Sequence, residues 1–254
     1  MIDFDLQTLL CHVLQRPRSF VLTHPDYLLT DQQQSAFEAL KMRYQQGEPL
    51  AYLIGSKGFW KHDFKVTSAV LIPRPETELL LELALAEAPQ GATVIELGVG
   101  SGCLCISFAL ERPDCQVWGI DISVDALAIA QENAKRLQVQ NIKWVQSHWL
   151  DSFPKQQVDV ILSNPPYIAA GDVHLPALHF EPELALVGGE SGLEAIEHIL
   201  CQARDFLKPN GMLALEHGFD QQVVVQGLFK RYAYRDIETK LDLQGHPRVS
   251  FGRL

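Results

Sequence analysis

The sequence predicts an α/β fold: a mostly parallel sheet with helices on both faces, a small helical segment before it and an antiparallel strand pair at its end. Three observations carry this. From about residue 73 onward, helical and strand-like stretches alternate. The first candidate strand of that series runs into a glycine-rich turn that opens a helix. The last stretch, residues 237–252, reads as two strands joined through Gln244-Gly245-His246-Pro247.

Taken in order, residues 1–54 read as short helices. Leu6, Leu9, Leu10, Val13 and Leu14 recur at helical spacing, and a turn follows at Arg16-Pro17-Arg18. A second helical run covers residues 31–46, with Ala36, Phe37, Leu40 and Tyr44 on one face and Gly47 and Pro49 beyond its end. Residues 59–72 change character: aromatic and β-branched residues broken by Gly58 and Lys61-His62-Asp63 suggest a β-hairpin linker. Helices are expected at residues 78–87, 103–110, 125–137 and 193–206, and strands at residues 93–97, 116–120, 142–146, 158–163 and 211–216. Pro75 stands near the start of the first of these helices, where its fixed φ is favourable.

Composition narrows the function classes. Of the 254 residues, 47% are hydrophobic, enough for a real core, and the formal net charge of −10 opposes general binding to nucleic acid. The five cysteines (Cys11, Cys103, Cys105, Cys115 and Cys201) form no C-x-x-C pair, so neither a disulfide framework nor a zinc ribbon is expected, and reduced thiols fit a cytoplasmic protein. The first ten residues carry acids where a signal peptide would carry Lys or Arg, and no apolar run approaches the roughly 18 residues of a membrane span. Nine histidines show no H-E-x-x-H or paired spacing, and no metal site is expected.

Gly98-Val99-Gly100-Ser101-Gly102 follows the strand at residues 93–97. Glycines there let a ligand approach the backbone, and the helix N-terminus beyond offers free N–H groups. Asp121 ends the next strand, where an acid grips ribose hydroxyls in nucleotide-binding α/β folds. A dinucleotide fingerprint would have its third glycine one residue later, where Cys103 stands, which argues against NAD or FAD. The competing reading is a tight turn with no ligand.

Asn164-Pro165-Pro166-Tyr167 follows the strand at residues 158–163, at the edge where open α/β sheets bind ligands. Two prolines stiffen the turn and remove two donors, so the turn is rich in free acceptors. The Asn164 side-chain oxygen and the Pro165 carbonyl together suit an –NH₂ group, whose two N–H bonds they would accept. They would favour positive charge developing on that nitrogen, while Tyr167 would wall a flat amide and exclude water. The competing reading is a rigid loop without chemistry.

With the glycine turn upstream, this pattern resembles the class I methyltransferases that modify planar amide or exocyclic nitrogens. Further stretches resemble one group among them, the peptide chain release factor glutamine methyltransferases (the HemK/PrmC family). These are Pro49-Leu50-Ala51-Tyr52-Leu53-Ile54-Gly55, Phe59-Trp60, Leu71-Ile72-Pro73-Arg74-Pro75-Glu76-Thr77-Glu78, Glu181-Pro182-Glu183-Leu184-Ala185-Leu186 with Gly188-Gly189, and Leu215-Glu216-His217-Gly218. The resemblance implies a seven-stranded Rossmann-like sheet over residues 73–254 and an N-terminal helical, substrate-docking domain with its hairpin linker over residues 1–72. It implies S-adenosyl-L-methionine as cofactor, with S-adenosyl-L-homocysteine as product. Gly98, Val99, Gly100, Ser101 and Gly102 would cradle the methionine part, Asp121 the ribose, and Trp149 would pack near the adenine, with Asn164 also touching the cofactor. Asn164, Pro165, Pro166 and Tyr167 would bind the substrate glutamine, and Asn164, Pro165 and Tyr167 would carry the catalysis. The 73–75 and 181–182 segments would line the entrance. The target would be the glutamine of a Gly-Gly-Gln loop in class I release factors, met by a monomer that contacts neither nucleic acid nor membrane.

The sequence departs from the family at three points. His148 stands where Asp often precedes the tryptophan, Glu96 replaces a frequent Asp, and the hairpin reads Gly245-His246-Pro247 where Asn or Asp is more frequent. The competing functions are methylation of a glutamine on a large-subunit ribosomal protein, adenine-N6 methylation of nucleic acid, and a non-catalytic cofactor-binding module.

Overall fold

The computed structural model describes residues 3–254. The chain divides into two compact units, Met1–Ser56 and Lys57–Leu254. In the first unit, α1 (Phe4–Leu14), α2 (Arg18–Thr23), α3 (Asp31–Gln45) and α4 (Leu50–Ile54) follow one another. Thr30 and Gln33 start α3 with reciprocal hydrogen bonds, Gln33 N–H to Thr30 Oγ1 at 3.2 Å and Thr30 N–H to Gln33 Oε1 at 3.0 Å, satisfying two otherwise orphaned donors. Leu9 is fully buried, and the Tyr44 hydroxyl donates to Asp5 at 2.6 Å, tying α3 to α1. The sequence pattern does not announce α2 and α4, which at six and five residues are too short to show a helical period.

A two-stranded hairpin, β1 (Ser56–Phe59) and β2 (His62–Lys65), begins at the unit boundary, a few residues ahead of the 59–72 stretch where the sequence suggests one. Its apolar residues Phe59 and Phe64 are buried in the core that contains Leu80 and Leu104. Fully buried Asn133 holds β2: it accepts from Lys65 N–H at 2.8 Å and donates to Lys65 O at 3.0 Å and to Ser101 O at 2.9 Å. One side chain thus links the hairpin to the glycine turn.

The sheet that follows is built from β3 (Thr93–Leu97), β4 (Gln116–Asp121), β5 (Ile142–Gln146), β6 (Val158–Ser163), β7 (Leu207–Glu216), β8 (Arg235–Leu241) and β9 (Pro247–Arg253). The helices α5 (Glu78–Glu87), α6 (Cys103–Glu111), α7 (Val124–Arg136), α8 (Glu194–Ala203) and α9 (Gln222–Arg231) connect them. The seven strands lie in the order β5-β4-β3-β6-β7-β9-β8, parallel from β5 to β7, with β9 antiparallel to both β7 and β8. This is the α/β sheet with a C-terminal hairpin that the alternation predicts.

Strand periodicity divides the core between two faces. Val94, Val160, Leu162, Met212 and Ala214 pack with α5 and α6, whereas Ile95, Leu97, Ile161, Leu213 and Leu215 pack with α8 and α9. The helix α9 is absent from the sequence-based expectation because Val223-Val224-Val225 and Gly227 are poor helix signals. Burial of Val225, Leu228 and Phe229 against the sheet outweighs that propensity. Among the described residues, no helix is long and apolar enough to cross a membrane.

Register places the site. Leu97 pairs with Ile120 on one side and with Ser163 on the other, and Ser163 pairs with Leu215. The residues next along these strands are Gly98, Asp121, Asn164 and Glu216, so all four reach the same edge. The strand order reverses between β3 and β6, the crevice where such sheets bind ligands.

Candidate active site

At that crevice lies a cavity of about 450 Å³. Its wall includes Gly98, Val99, Gly100, Ser101, Asp121 and Trp149 on one side and Thr77, Asn164, Pro166 and Gly188 on the other. Of the residues singled out from the sequence, Gly102, Pro165 and Tyr167 stand behind the wall rather than in it. Pro73, Arg74 and Pro182 border the cavity as well.

The glycine turn is left-handed at three alternate residues, with φ of 73° at Gly98, 51° at Gly100 and 77° at Gly102. Gly102 carries the steric demand: a Cβ there would lie 2.8 Å from Ile106 Cδ1 and 3.0 Å from Ala130 Cβ. At Gly100 a Cβ would meet nothing within 4 Å, so the backbone there faces open cavity. The Asp121 carboxylate accepts from Gly100 N–H at 3.0 Å and from Ser123 N–H at 2.9 Å, joining the turn to the start of α7. Burial pushes the Asp121 carboxyl above its ordinary value, and these backbone donors hold it back. Trp149 adopts φ 48°, a left-handed conformation rare for a bulky residue and stored here in the cavity wall.

Glu96 also lines the cavity, buried and accepting from Cys105 N–H at 2.8 Å. Burial raises its carboxyl to about 8, so it is largely neutral near neutral pH. Cys103 and Cys105 are buried beside it, and burial lifts both thiols, which makes them inert packing groups rather than nucleophiles.

The opposite wall is assembled from distant segments. Ser163 Oγ donates to Leu97 O at 2.8 Å, pinning the end of β6 to the end of β3. Asn164 Nδ2 donates to Thr77 Oγ1 at 3.0 Å, and Thr77 Oγ1 donates to Glu216 Oε2 at 2.7 Å. Behind the turn, Gln221 Nε2 donates to Tyr167 O at 3.0 Å, and Tyr167 packs on the core of α8 and α9. Gly188 and Gly192 press backbone against backbone: a Cβ would lie 2.3 Å from Pro166 O in the first case and 2.4 Å from Tyr167 O in the second. Glu181, buried, accepts from Ile72 N–H at 3.0 Å and pairs with Arg74, so both segments are fixed at the cavity edge.

Sequence reasoning did not assign Thr77, Gly188 or Glu216 a role in the site, although each lies in a stretch that carries the family resemblance. Their contacts join residues 139 positions apart in the case of Thr77 and Glu216, which no local spacing reveals. His217 is structural: fully buried, it bonds Ser250 Oγ and Gly218 O, both at 2.8 Å. At the cavity rim, exposed His148, Asp151 and His198 bring ligand atoms within 4.8 Å of one another. Asp151 is already engaged by His148 at 3.2 Å and by Gln202, and the spacing between the two histidines gives no sequence signal.

The residues fit S-adenosylmethionine. The cavity has the volume of a small-cofactor site. Open space over Gly100 admits a ligand against the backbone, Asp121 offers a carboxylate for ribose hydroxyls, and Ile122 and Trp149 offer apolar surface for a flat base. Fold and site together define a class I S-adenosylmethionine-dependent methyltransferase. A family model for a methyltransferase domain matches residues 89–233, and a model for the PrmC N-terminal domain matches residues 3–55. A methyltransferase of Pyrococcus furiosus shares the fold, with a TM-score of 0.59 at 18% identity over 85% of this chain and 98% of that one.

Two relatives narrow the class. The release factor glutamine methyltransferase of Salmonella typhimurium is 43% identical over 252 residues, 98% of this chain and 91% of the relative. That of Vibrio cholerae is 42% identical over 253 residues, 98% of this chain and 88% of the relative. The chain belongs to the release factor glutamine methyltransferase family.

Proposed function

We propose that this enzyme methylates the side-chain amide nitrogen of the glutamine in the Gly-Gly-Gln loop of class I peptide chain release factors. The observation that carries this reading is the placement of Asn164, at the end of β6, across the cavity from the glycine turn. Asn164 Nδ2 is committed to Thr77, and among the described residues its Oδ1 has no partner. The cavity therefore offers an acceptor of the kind an amide N–H requires.

When bound, S-adenosylmethionine supplies an electrophilic methyl on a sulfonium sulfur. The chain's own task is to make a poor nucleophile usable. An amide nitrogen shares its lone pair with its carbonyl, so it attacks only when held in line and when positive charge on it is favoured. Asn164 Oδ1 takes one of its N–H bonds, orients the lone pair and stabilises the charge that develops, while Pro165, behind the wall, holds the turn rather than accepting the second N–H itself. The rigid double proline keeps that acceptor in place. Gly98, Val99, Gly100 and Ser101 would hold the methionine portion of the cofactor, with Gly102 shaping the turn from behind, Asp121 would hold the ribose and Trp149 would flank the adenine. Tyr167 supports the turn from behind rather than walling the amide directly. Of the N-terminal segment, we propose that it docks the release factor; its exposed Leu22, Tyr27 and Leu28 offer apolar surface for that purpose. The enzyme then acts in the cytoplasm, as a monomer, on a protein partner and without direct contact to nucleic acid.

The test is methyl transfer from labelled S-adenosylmethionine to a purified release factor, with a large-subunit ribosomal protein and a DNA duplex in parallel. Label on the release factor alone supports the proposal. Label only on the ribosomal protein or the DNA overturns the substrate, and label on none overturns the enzymatic reading.

A further inference from the structure

Asn164 is the end of a buried chain of hydrogen bonds, and the chemistry of its other end fixes which way the Asn164 amide faces. Thr77 is 5% exposed and Glu216 is 1% exposed, so neither exchanges its partner for water. Thr77 begins α5, yet its hydroxyl makes no helix-capping bond. It lies instead between Asn164 Nδ2 at 3.0 Å and Glu216 Oε2 at 2.7 Å. A hydroxyl has one proton to give. A carboxylate only accepts, so Thr77 gives that proton to Glu216 and keeps only lone pairs for Asn164. The amide must then present its NH₂ to Thr77, which leaves Oδ1 for the cavity.

We infer that Thr77 and Glu216 are positioning residues that set the amide orientation of Asn164, making its oxygen rather than its nitrogen the group offered to the substrate. This rests on the proposed role of Asn164 and deepens it. Neither residue touches the reacting atoms; both act through Asn164. The difference matters because a flipped Asn164 would present two N–H donors to an –NH₂ group that needs acceptors.

The relay also carries a pH dependence. Glu216 is held by β7 and faced by Thr77 and Glu76 from the turn before α5, by Tyr167 from the Asn-Pro-Pro-Tyr turn, by Cys103 from α6 and by Arg248 from β9. Burial, with the Glu76 charge added, raises its carboxyl to about 7, against the opposing effects of the Thr77 bond, Arg248 and Tyr167. Above that value Glu216 is an acceptor and the relay runs as described. Below it Glu216 becomes a donor, the Thr77 proton is released toward Asn164, and the amide turns. Activity therefore falls as the pH drops through about 7.

The experiment is steady-state methylation of a full-length release factor by the wild type, Thr77→Val, Thr77→Ser, Glu216→Gln and Asn164→Ala between about pH 5.5 and 8.5. Cofactor affinity by calorimetry and a melting curve accompany each variant. Thr77→Val is expected to lose about 10–100-fold in kcat, the usual effect of removing an orienting partner. Thr77→Ser restores most of that rate, because it returns the hydroxyl. Cofactor affinity stays within a few-fold throughout. The wild-type kcat shows the acid-side fall, and Glu216→Gln loses it.

Wild-type kcat in Thr77→Val, or an unchanged acid-side fall in Glu216→Gln, would overturn the relay. Should Thr77→Val fail to fold, the pH profiles of the wild type and Glu216→Gln decide alone. Full activity in Asn164→Ala would instead remove the underlying reading of the site. An inactive Asn164→Ala beside fully active Thr77→Val and Glu216→Gln would leave that reading standing and remove only the relay.

Discussion

On the β3–β4 side of the cavity the wall is built largely on backbone: a turn of three left-handed glycines, tied to Asp121 through the Gly100 N–H, and a helix beginning at Cys103. On the β6–β7 side the wall is largely side chains, with Asn164, Thr77 and Glu216 in series and Gly188 and Gly192 packed behind the double proline. Apart from Trp149, the named residues of the first side lie within residues 98–121. The second draws on segments near residues 77, 164, 188 and 216. The difference follows from the two tasks. Holding a cofactor against a backbone needs absent side chains, which a short motif supplies. Aiming one amide at another needs an acceptor whose orientation is fixed, and an isolated asparagine cannot fix its own flip.

If the two sides divide the work in this way, substitutions should separate turnover from cofactor binding. The largest separation is expected for Asn164→Ala, with kcat down by about 100–1,000-fold, the loss typical of removing one group that stabilises transition-state charge. Calorimetry should find its cofactor affinity within a few-fold of wild type. Gly188→Ala comes next. Its Cβ would lie 2.3 Å from Pro166 O, backbone that cannot yield cheaply, so the turn must shift. A displacement of about 1 Å there is expected to cost up to about 100-fold in kcat, read by the same assay, with a smaller effect on affinity.

Gly102→Ala should act on the other side. The clash with Ile106 and Ala130 at a φ of 77° is expected to destabilise the protein by about 1–3 kcal/mol and to weaken cofactor binding, measured by denaturant unfolding and calorimetry. Gly100→Ala has no such clash, so only the left-handed strain of about 1–2 kcal/mol applies; equal destabilisation in the two variants would contradict the steric argument.

A pH-dependent effect, independent of the two walls, concerns Glu96. Its folded-state value of about 8 lies above the ordinary carboxylate range, so the native state binds the extra proton. The stability it contributes is complete below that ordinary range and is lost as the pH rises toward about 8. Glu96→Gln keeps an acceptor for Cys105 N–H and removes the titration. Melting curves should show the variant gaining on the wild type by a few kcal/mol from about pH 5 to pH 9, and a pH-independent difference would contradict the buried, protonated state.

The same contrast decides what was legible in the sequence. The glycine turn, Asp121 and Asn164 were each readable because each ends a strand of obvious pattern. The parallel register then brings those ends together without further instruction. The seven-stranded sheet and its antiparallel hairpin followed from alternation and from the family resemblance. Thr77 and Glu216 were visible only as members of resembling stretches, since their bond depends on where α5 begins relative to the end of β7. The position of Tyr167 behind the wall was likewise hidden, because its contacts with Gln221 and with the core of α8 and α9 are tertiary. The rim cluster of His148, Asp151 and His198 arises from a loop meeting α8, which no spacing rule anticipates. Helix α9 shows burial overriding a β-branched run.

The most direct test of the central claim is tandem mass spectrometry of a release factor after incubation with this enzyme and S-adenosylmethionine. A single methyl on the side-chain nitrogen of the Gly-Gly-Gln glutamine, absent when Asn164→Ala replaces the wild type, is the predicted result. A methyl on any other residue, or an unchanged yield from Asn164→Ala, would contradict it.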